Sequence, residues 1–281
     1  MNSFVFDWCV RLKQSGLHLV WAVLEELPLV PRKPLIVQRL DYLAAILTLD
    51  PKHGCLEAIK LNKMNGWNAC RRAVTQHERV RLWASLDAIV ACLFSIQLDD
   101  LDWILRGCDL PWPSAGKSDP KGFWRVTKDK DPELRHTILT LVAFHDLQQK
   151  IEDFGGDREK GIDAFCSQND GQGWMLPETL CLADYGLGHD ERAKKPQPVA
   201  SRLGPRFYDW QLEQNAEESW RECHLHARNL LGAVGYQQLL DDIEAEKRSE
   251  KPHASTLADE PIEPQRQGVL FDLDKVAPRQ G

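Results

Sequence analysis

The sequence has no apolar run of the about 18 residues that a membrane-spanning helix requires. It also has no secretory signal at its start, because Asp7 and Arg11 fall where a signal peptide needs an apolar core. Both absences argue against export or membrane insertion. We therefore expect a cytoplasmic protein.

The sequence has no Cys-x-x-Cys pair, although it contains eight cysteines. They are widely scattered and mostly have apolar neighbours. This pattern excludes the usual zinc knuckle and the usual redox pair. Scattered thiols of this kind are typical of proteins in a reducing compartment.

An excess of positive charge is also missing, since the formal net charge is −7. Autonomous, high-affinity nucleic-acid binders are usually basic, so the total argues against that class. The distribution is uneven, however. Residues 117–130 and residues 190–206 each hold five basic and two acidic side chains, whereas residues 241–263 hold eight acidic and three basic ones. We call the first two segments the first and second basic loops, and they are the candidates for contact with a polyanion.

Complete catalytic motifs are absent as well. The stretch GKS at 116–118 is similar to a phosphate-binding loop, but Pro111 stands where the first glycine is needed. The stretch DLPW at 109–112 is similar to the (D/N)PP(Y/W) tetrapeptide of amino-methyltransferases, which holds the target amino group and stacks on a flipped base. Leu110 replaces its first proline, and no glycine-rich cofactor loop precedes it. We expect structural loops at both places.

Metal and nuclease sites are no better supported. Cys223, His224 and His226 lie too close together on a helix, where positions three and four apart share a face. An acid-x-Lys nuclease pattern occurs at residues 119–121, but it contains a proline, which does not fit inside a strand. The sequence therefore predicts no catalytic residue and no metal ligand.

The fold class expected is mainly α, or α+β with minor strand: a helical module with long ordered loops and a disordered C-terminal tail. With 281 residues and 43% hydrophobic content, the chain can bury a substantial core. We divide it into residues 1–34, residues 35–248 as a helical module, and a polar, proline-rich tail at 249–281.

Periodicity and breaking residues place the elements. Asn2 or Ser3 caps a first helix, with Phe4, Trp8 and Leu12 on one face and Gly16 as its stop. Residues 17–30 are predicted as a strand, or as a strand and a turn, and residues 155–173 as a glycine-rich connection. Further helices are predicted at 35–62 with a break at 51–54, at 75–97, at 98–107, from a cap at Asp131 and Pro132 to about Ile151, from Pro177 to near Gly186, at 207–231 and at 234–248.

The first segment resembles the end of the target-recognition region in Taq-type, adenine-specific DNA methyltransferases. These are the type IIG restriction–modification enzymes and the related methylases of phage defence. Their form is roughly N-S-x-x-x-D-[YF]-x-x-R-x-K-x-x-G-x-H-L-N, followed by an apolar run that ends in L-P. The matching residues are Asn2, Ser3, Asp7, Arg11, Lys13, Gly16, His18, Leu19, Leu27 and Pro28. The sequence departs from the form at Trp8, Leu17 and Val20, and the lost asparagine weakens the expectation that this loop reads a base edge.

Three later segments, at 81–107, 119–147 and 182–207, are similar to the C-terminal extension of the same proteins, so the resemblance covers most of residues 2–231. It implies the distal part of a larger enzyme, from a split gene or as a truncated remnant. The S-adenosylmethionine cofactor would then belong to a catalytic core outside this chain. A methyltransferase core chain is the partner expected if the gene is split.

The resemblance and the basic loops together imply weak contact with double-stranded DNA. The candidate residues are Arg11, Lys13, His18, Lys117, Lys121, Arg125, Lys128, Lys194, Lys195, Arg202 and Arg206. Alternatives stay open. Arg11 and Lys13 also suit the C-terminal dipole of a helix, and the first basic loop can be a solvated loop that Phe123 and Trp124 anchor to the core.

The tail contains the segment QRQGVLFDLDK at 265–275. Its Gln267, Leu270 and Phe271 have the Q-x-x-L-F form and resemble the peptide that binds the bacterial sliding clamp. The same side chains can instead dock on the helices of this chain.

The leading hypothesis is thus a non-catalytic DNA-recognition and scaffolding part of an adenine-specific restriction–modification or defence methyltransferase. The alternative is a helical protein–protein interaction subunit without DNA contact.

Overall fold

The computed structural model describes residues 3–13, 21–28, 34–48, 73–106, 123, 127, 129–187 and 191–249. Helix accounts for 73% and strand for 2% of them, which confirms the mainly α fold class with minor strand. None of the helices described is long and apolar enough to cross a membrane.

Among the described residues before the first basic loop, the helices are α1 (Phe4–Lys13), α2 (Trp21–Glu25), α3 (Pro34–Thr48), α4 (Gln76–Leu93) and α5 (Leu98–Arg106). A 3-10 turn at Pro132–Leu134 leads into α6 (His136–Asp153) and then α7 (Arg158–Gly171). Strands β1 (Thr179–Leu180) and β2 (Gln197–Pro198) pair antiparallel, with Thr179 opposite Pro198. Two 3-10 helices, Leu182–Tyr185 and Ser201–Leu203, precede α8 (Asp209–Glu213) and α9 (Ala216–Ser249).

The core forms where α4 packs along α6, with α3, α5 and α7 around this pair and α1 against α4 and α5. Ala84, Ala88 and Ala91 on α4 are almost completely buried, so the two central helices can approach closely. Leu139 and Phe144 on α6 are also fully buried against them. This pair is the scaffold on which the polar loops are placed.

Helix α1 begins as predicted, because the Oγ atom of Ser3 accepts a hydrogen bond from the amide of Phe6 at 3.3 Å. Its predicted apolar face is only partly correct. Val5 and Trp8 are buried, but Leu12 is 57% exposed. Trp8 packs against Trp103 of α5, whereas Leu12, the last apolar residue of the helix, faces solvent.

The strand predicted at 17–30 is wrong where the structure describes it, since Trp21–Glu25 is helical. A short apolar run fits both structures, and its period does not separate them. The glycine-rich connection at 155–173 is also wrong, because most of it is helix α7. Asp157 begins that helix by accepting a hydrogen bond from the amide of Lys160.

Three boundaries differ from the prediction. Asp131 does not cap α6, which begins at His136 after the 3-10 turn. The helix predicted from Pro177 is the short strand β1 followed by a 3-10 helix that ends at Tyr185, with Gly186 as its C-cap. The helix predicted at 207–231 is divided by Gln214 and Asn215 into α8 and α9.

Helix α9 is broken at Gly232, whose φ of 70° and ψ of 174° lie outside the helical region. The Nδ1 atom of His224 lies 2.6 Å from the hydroxyl oxygen of Tyr236. Twelve residues of straight helix would separate these side chains by about 18 Å. The chain therefore reverses at Gly232, and α9 is a hairpin of two helical arms.

Candidate nucleic-acid interface

Charged side chains near the start of the chain stabilise α1 and link its end to α2. The carboxylate of Asp7 accepts a hydrogen bond from Nη2 of Arg11 at 2.7 Å, one helical turn further along. At the end of the helix, Nζ of Lys13 lies 3.0 Å from Oε2 of Glu26 beside α2. Both cations lie in the last turn, where they also favour the helix dipole. These contacts support the alternative interpretation, in which Arg11 and Lys13 stabilise the structure of this chain.

The end of α1 lies against Phe123, one of the described residues of the first basic loop. The guanidinium of Arg11 stands 4.1 Å from the ring centroid of Phe123. That ring also packs on Phe4, 4.9 Å away, and Phe4 packs in turn on His136 at the start of α6. Because Phe123 is only 2% exposed, it anchors its loop to the core and is not free to stack on a base.

The second basic loop is attached to the residues just before α6. Glu133 is only 2% exposed and accepts hydrogen bonds from Arg192 at 2.8 Å and Arg202 at 3.2 Å. Asp131 accepts from Nη2 of Arg202 at 2.6 Å and lies 3.4 Å from Arg192. The hydrogen bond from Arg202 is the main reason that the pKa of Asp131 lies below its ordinary value, and the charge of Arg192 adds to it. These two arginines therefore bind the loop to the helix start.

The lysines of this loop are in a different position. Lys194 is exposed and lies 2.6 Å from Glu191, which is itself exposed. Lys195 is also exposed, and its amide closes the turn on the carbonyl of Arg192. Neither lysine takes part in the ion pairs that Arg192 and Arg202 form with Asp131 and Glu133, so both are candidates for contact with an external phosphate.

Arg206 lies in a third arrangement, which we call the Glu78 cluster: Glu78, Arg81 and Arg206. Glu78 and Arg81, both on α4, form an ion pair of 2.7 Å with side chains 5% and 6% exposed. The Nε atom of Arg206 lies 3.4 Å from the other carboxylate oxygen of Glu78. Arg206 also stacks over the ring of Phe207 at 4.9 Å. Its position is governed by this buried charge.

Several predicted site residues lie outside the part of the chain that the structure describes, and their roles stay predictions. They are His18, Lys117, Lys121, Arg125, Lys128, Gln267, Leu270 and Phe271.

Sequence reasoning missed the polar residues that point inward from α4. His77, Glu78, Arg81 and Asp87 are all buried, although they occur in the mostly apolar helix α4. A signal was present for three of them, because His77 and Arg81 are four residues apart and Glu78 and Arg81 are three apart, as are residues on one face of a helix. Charged residues on a core face are unusual and are normally paired.

Among the described residues, no group of three or more histidine, cysteine or acidic side chains could hold a metal ion. Cys223 is buried, and His224 faces Tyr236 across the α9 hairpin. Burial raises the pKa of Cys92 to about 11 and that of the partly exposed Cys166 to about 12, so both thiols react more slowly at neutral pH than a free thiol does.

The structure thus brings the end of α1, Phe123 of the first basic loop and the start of α6 together, with the second basic loop tied to residues 131–133. No family model, curated protein or solved structure matches the chain that carries this arrangement.

Proposed function

We propose that this chain is a non-catalytic DNA-recognition and scaffolding part of an adenine-specific restriction–modification or defence methyltransferase. The proposal is supported by the convergence of three basic segments around the start of α6. Arg11 contacts Phe123 within the first basic loop. Arg192 and Arg202 tie the second basic loop to the residues that follow the first. Segments far apart in sequence thus lie next to one another near the start of α6.

The contact would be made to phosphates and would position DNA without reading its sequence. Arg202 and Arg206 hold internal carboxylates, so their contribution is to shape the loops. The exposed Lys194 and Lys195 are the described candidates for the phosphates themselves. If the gene is split, a partner chain supplies the catalytic core and its S-adenosylmethionine. Contact of the tail with a sliding clamp belongs to the same proposal.

Salt dependence of duplex binding tests the proposal. If about four to six phosphates are contacted, log affinity should fall with log salt with a slope of roughly −4 to −5. Fluorescence anisotropy with a labelled duplex measures that slope. A variant with alanine at Lys121, Arg125, Lys194 and Lys195 should bind more weakly and give a flatter slope.

A control variant carries the same change in net charge elsewhere on the chain. It has alanine at Lys150, Lys160, Arg221 and Lys247, which lie on α6, α7 and α9. Its slope should equal that of the unmodified chain. Equal slopes in both variants, or no salt-dependent binding at all, would contradict the DNA proposal.

One observation favours the second candidate, a helical interaction subunit without DNA contact. The α8–α9 region exposes large apolar side chains, with Leu225 57% and Val234 85% exposed. Such side chains in one region are typical of a protein–protein contact. Sedimentation equilibrium of the unmodified chain and of a Leu225→Ser, Val234→Ser variant tests for self-association through them. Self-association lost in the variant, together with unchanged salt slopes above, would favour this candidate.

A further inference from the structure

A cavity of about 340 Å³ lies between α3, α4, α7 and the segment that follows α7. Leu43, Ile46, Leu82, Phe165 and Trp174 line its interior, and all of them are buried. Residues 170–172 line it too and are exposed, so the cavity opens to solvent along that segment. Its volume falls within the range of small-molecule sites, about 300–1,000 Å³, and its wall is mainly apolar and aromatic, as in such sites.

The wall also contains a buried cation. Arg81 is 5% exposed, and Nη1 donates a hydrogen bond to the carbonyl oxygen of Trp174 at 2.9 Å. The Nη2 atom donates a hydrogen bond to Glu78, and the Nε atom has no hydrogen-bond partner. Because these contacts hold the guanidinium in place, one of its faces has a fixed position relative to the cavity. A ligand that binds there would not have to order a flexible side chain.

On the buried side of the cavity the charges do not cancel, whereas the exposed carboxylate of Asp170 lies at the opening. Glu78 is a single carboxylate between Arg81 and Arg206, with N–O distances of 2.7 Å and 3.4 Å. The Glu78 cluster therefore carries one excess positive charge. At the rim, Arg39 is paired with Asp163 at 2.8 Å. In a wall of low dielectric constant the excess charge attracts an anion more strongly than it would in water.

The segment at the opening has an unusual backbone. Asn169 and Asp170 both have φ of 55°, a left-handed conformation that is uncommon outside glycine and has some cost even for Asn and Asp, which tolerate it best. The side chain of Asn169 stabilises the turn by donating to the carbonyl oxygen of Gly173 at 2.9 Å. Gly173 has φ of +81°, and an added Cβ would lie 3.4 Å from the carbonyl oxygen of Cys166. Strain of this kind is concentrated where backbone surrounds a ligand.

From the cavity, the buried charge cluster and the strained rim, we infer that this site binds a small organic anion, with its ring or aliphatic body against Phe165 and Trp174 and its acidic group facing the Arg81 side. The site goes beyond the proposed DNA contact and does not depend on it. It lies on the α3–α7 side of the core, where no predicted DNA-contacting residue lines the cavity.

Anilinonaphthalene sulfonate is a suitable probe, because it joins a fused-ring body to one anionic group and fluoresces when it leaves water. We expect saturable binding to the full chain with a single class of site. Phenylnaphthylamine, its neutral analogue, should bind about tenfold more weakly because it lacks the charge-assisted contact. Leu43→Trp, which fills the cavity, should weaken binding of the sulfonate about tenfold. A Leu225→Ala, Val234→Ala variant removes exposed apolar groups on α9 and should leave it unchanged.

A second measurement needs no substitution. Cys166 lines the cavity, and Cys181 lies elsewhere with a similar, intermediate exposure. Peptide mass spectrometry can follow the reaction of each thiol with N-ethylmaleimide. The sulfonate should slow the reaction at Cys166 and leave Cys181 unchanged, which decides the matter even if Leu43→Trp does not fold. No saturable binding, equal affinity for the neutral analogue, or no selective protection of Cys166 would overturn the inference.

Discussion

At the scale of single residues, Glu133 is a buried carboxylate that two arginines share. Arg192 and Arg202 are 50% and 38% exposed, so water screens each pair, but Glu133 itself is 2% exposed. We predict that Glu133→Gln lowers the free energy of unfolding by about 1–2 kcal/mol, because two charge-assisted bonds are lost at a buried site. Urea denaturation followed by circular dichroism measures it.

Glu191→Gln is the matched control, since Glu191 pairs with Lys194 at the surface. Its cost should be below about 0.5 kcal/mol, as for exposed ion pairs in general. Equal costs for the two substitutions would show that the Glu133 contacts do not hold the second basic loop in place.

His77 is a second residue with a measurable signature. Burial is the main cause that lowers the pKa of His77 below its ordinary value of 6.5, although the charge of Glu78 opposes it. The unfolded chain therefore takes up a proton at this imidazole at higher pH than the folded chain does. The stabilising contribution of neutral His77 is complete above the ordinary pKa and is lost as the pH falls below it.

We accordingly predict that unmodified protein loses more stability than His77→Gln between about pH 7.5 and about pH 5.5. Urea titrations of both proteins across this range give the comparison, and the other histidines cancel in the difference. Parallel pH profiles would show that His77 titrates alike in the folded and unfolded chains.

At the scale of elements, one side chain joins three helices. Asp87 of α4 accepts a hydrogen bond from the amide of Phe4 at the start of α1, at 2.9 Å. Its other oxygen lies 3.1 Å from Nε2 of His136 at the start of α6. Asp87 is 4% exposed, so water has little access to the groups that its carboxylate contacts and cannot readily replace it as their partner. It fixes where α1 begins relative to the central helix pair.

We predict that Asp87→Ala costs about 2–3 kcal/mol, because it leaves the amide of Phe4 without its acceptor in a partly buried place. Hydrogen exchange should show faster exchange for α1 amides, with the middle of α6 still protected. Asp7→Ala removes the exposed i,i+4 pair with Arg11 and should cost below about 0.5 kcal/mol. Unchanged protection of α1 in Asp87→Ala would contradict the joining role of Asp87.

Elements with strong periodicity could be predicted from the sequence. The long helix at 75–97 occurs as α4 with Thr75 as its cap, and the helix at 98–107 occurs as α5. The glycine-rich segment could not be predicted, because its glycines have different roles. An added Cβ at Gly161 would lie 2.5 Å from a side-chain carbon of Ile151, so this glycine allows α7 to approach α6. Composition alone does not separate such a packing glycine from a flexible one.

The candidate interface was predictable only as a set of basic positions. The sequence does not indicate that Arg202 and Arg206 have buried carboxylates as partners, because Glu133 and Glu78 lie about 70 and about 130 residues away along the chain. The proximity of Arg11 to Phe123 likewise depends on the packing of α1 on the core. Long-range pairs of this kind follow from tertiary structure.

At the scale of the whole molecule, the proposed function requires that the chain alone be inactive in methyl transfer. The sequence contains no glycine-rich cofactor loop, and Leu110 interrupts the tetrapeptide that would hold an adenine. Incubation with duplex DNA and labelled S-adenosylmethionine should give background incorporation, with an active adenine methyltransferase on the same DNA as the positive control. Label on adenine from this chain alone would refute the non-catalytic assignment.

The reversal at Gly232 has a consequence for assembly. Because the α9 hairpin reverses at a single residue, that residue is a hinge. If the chain did not reverse there, α9 would be a straight helix of about 50 Å. Gly232→Ala disfavours the turn by backbone strain alone, because no atom lies within 4 Å of the added Cβ. The arms of two straightened copies could then pair with each other in a domain-swapped dimer. We predict a concentration-dependent dimer of Gly232→Ala by sedimentation velocity, whereas Gly235→Ala, inside an arm, should sediment like the unmodified chain. The presence of glycine at position 232 would thus determine whether the two arms pack against each other or against the arms of a second molecule.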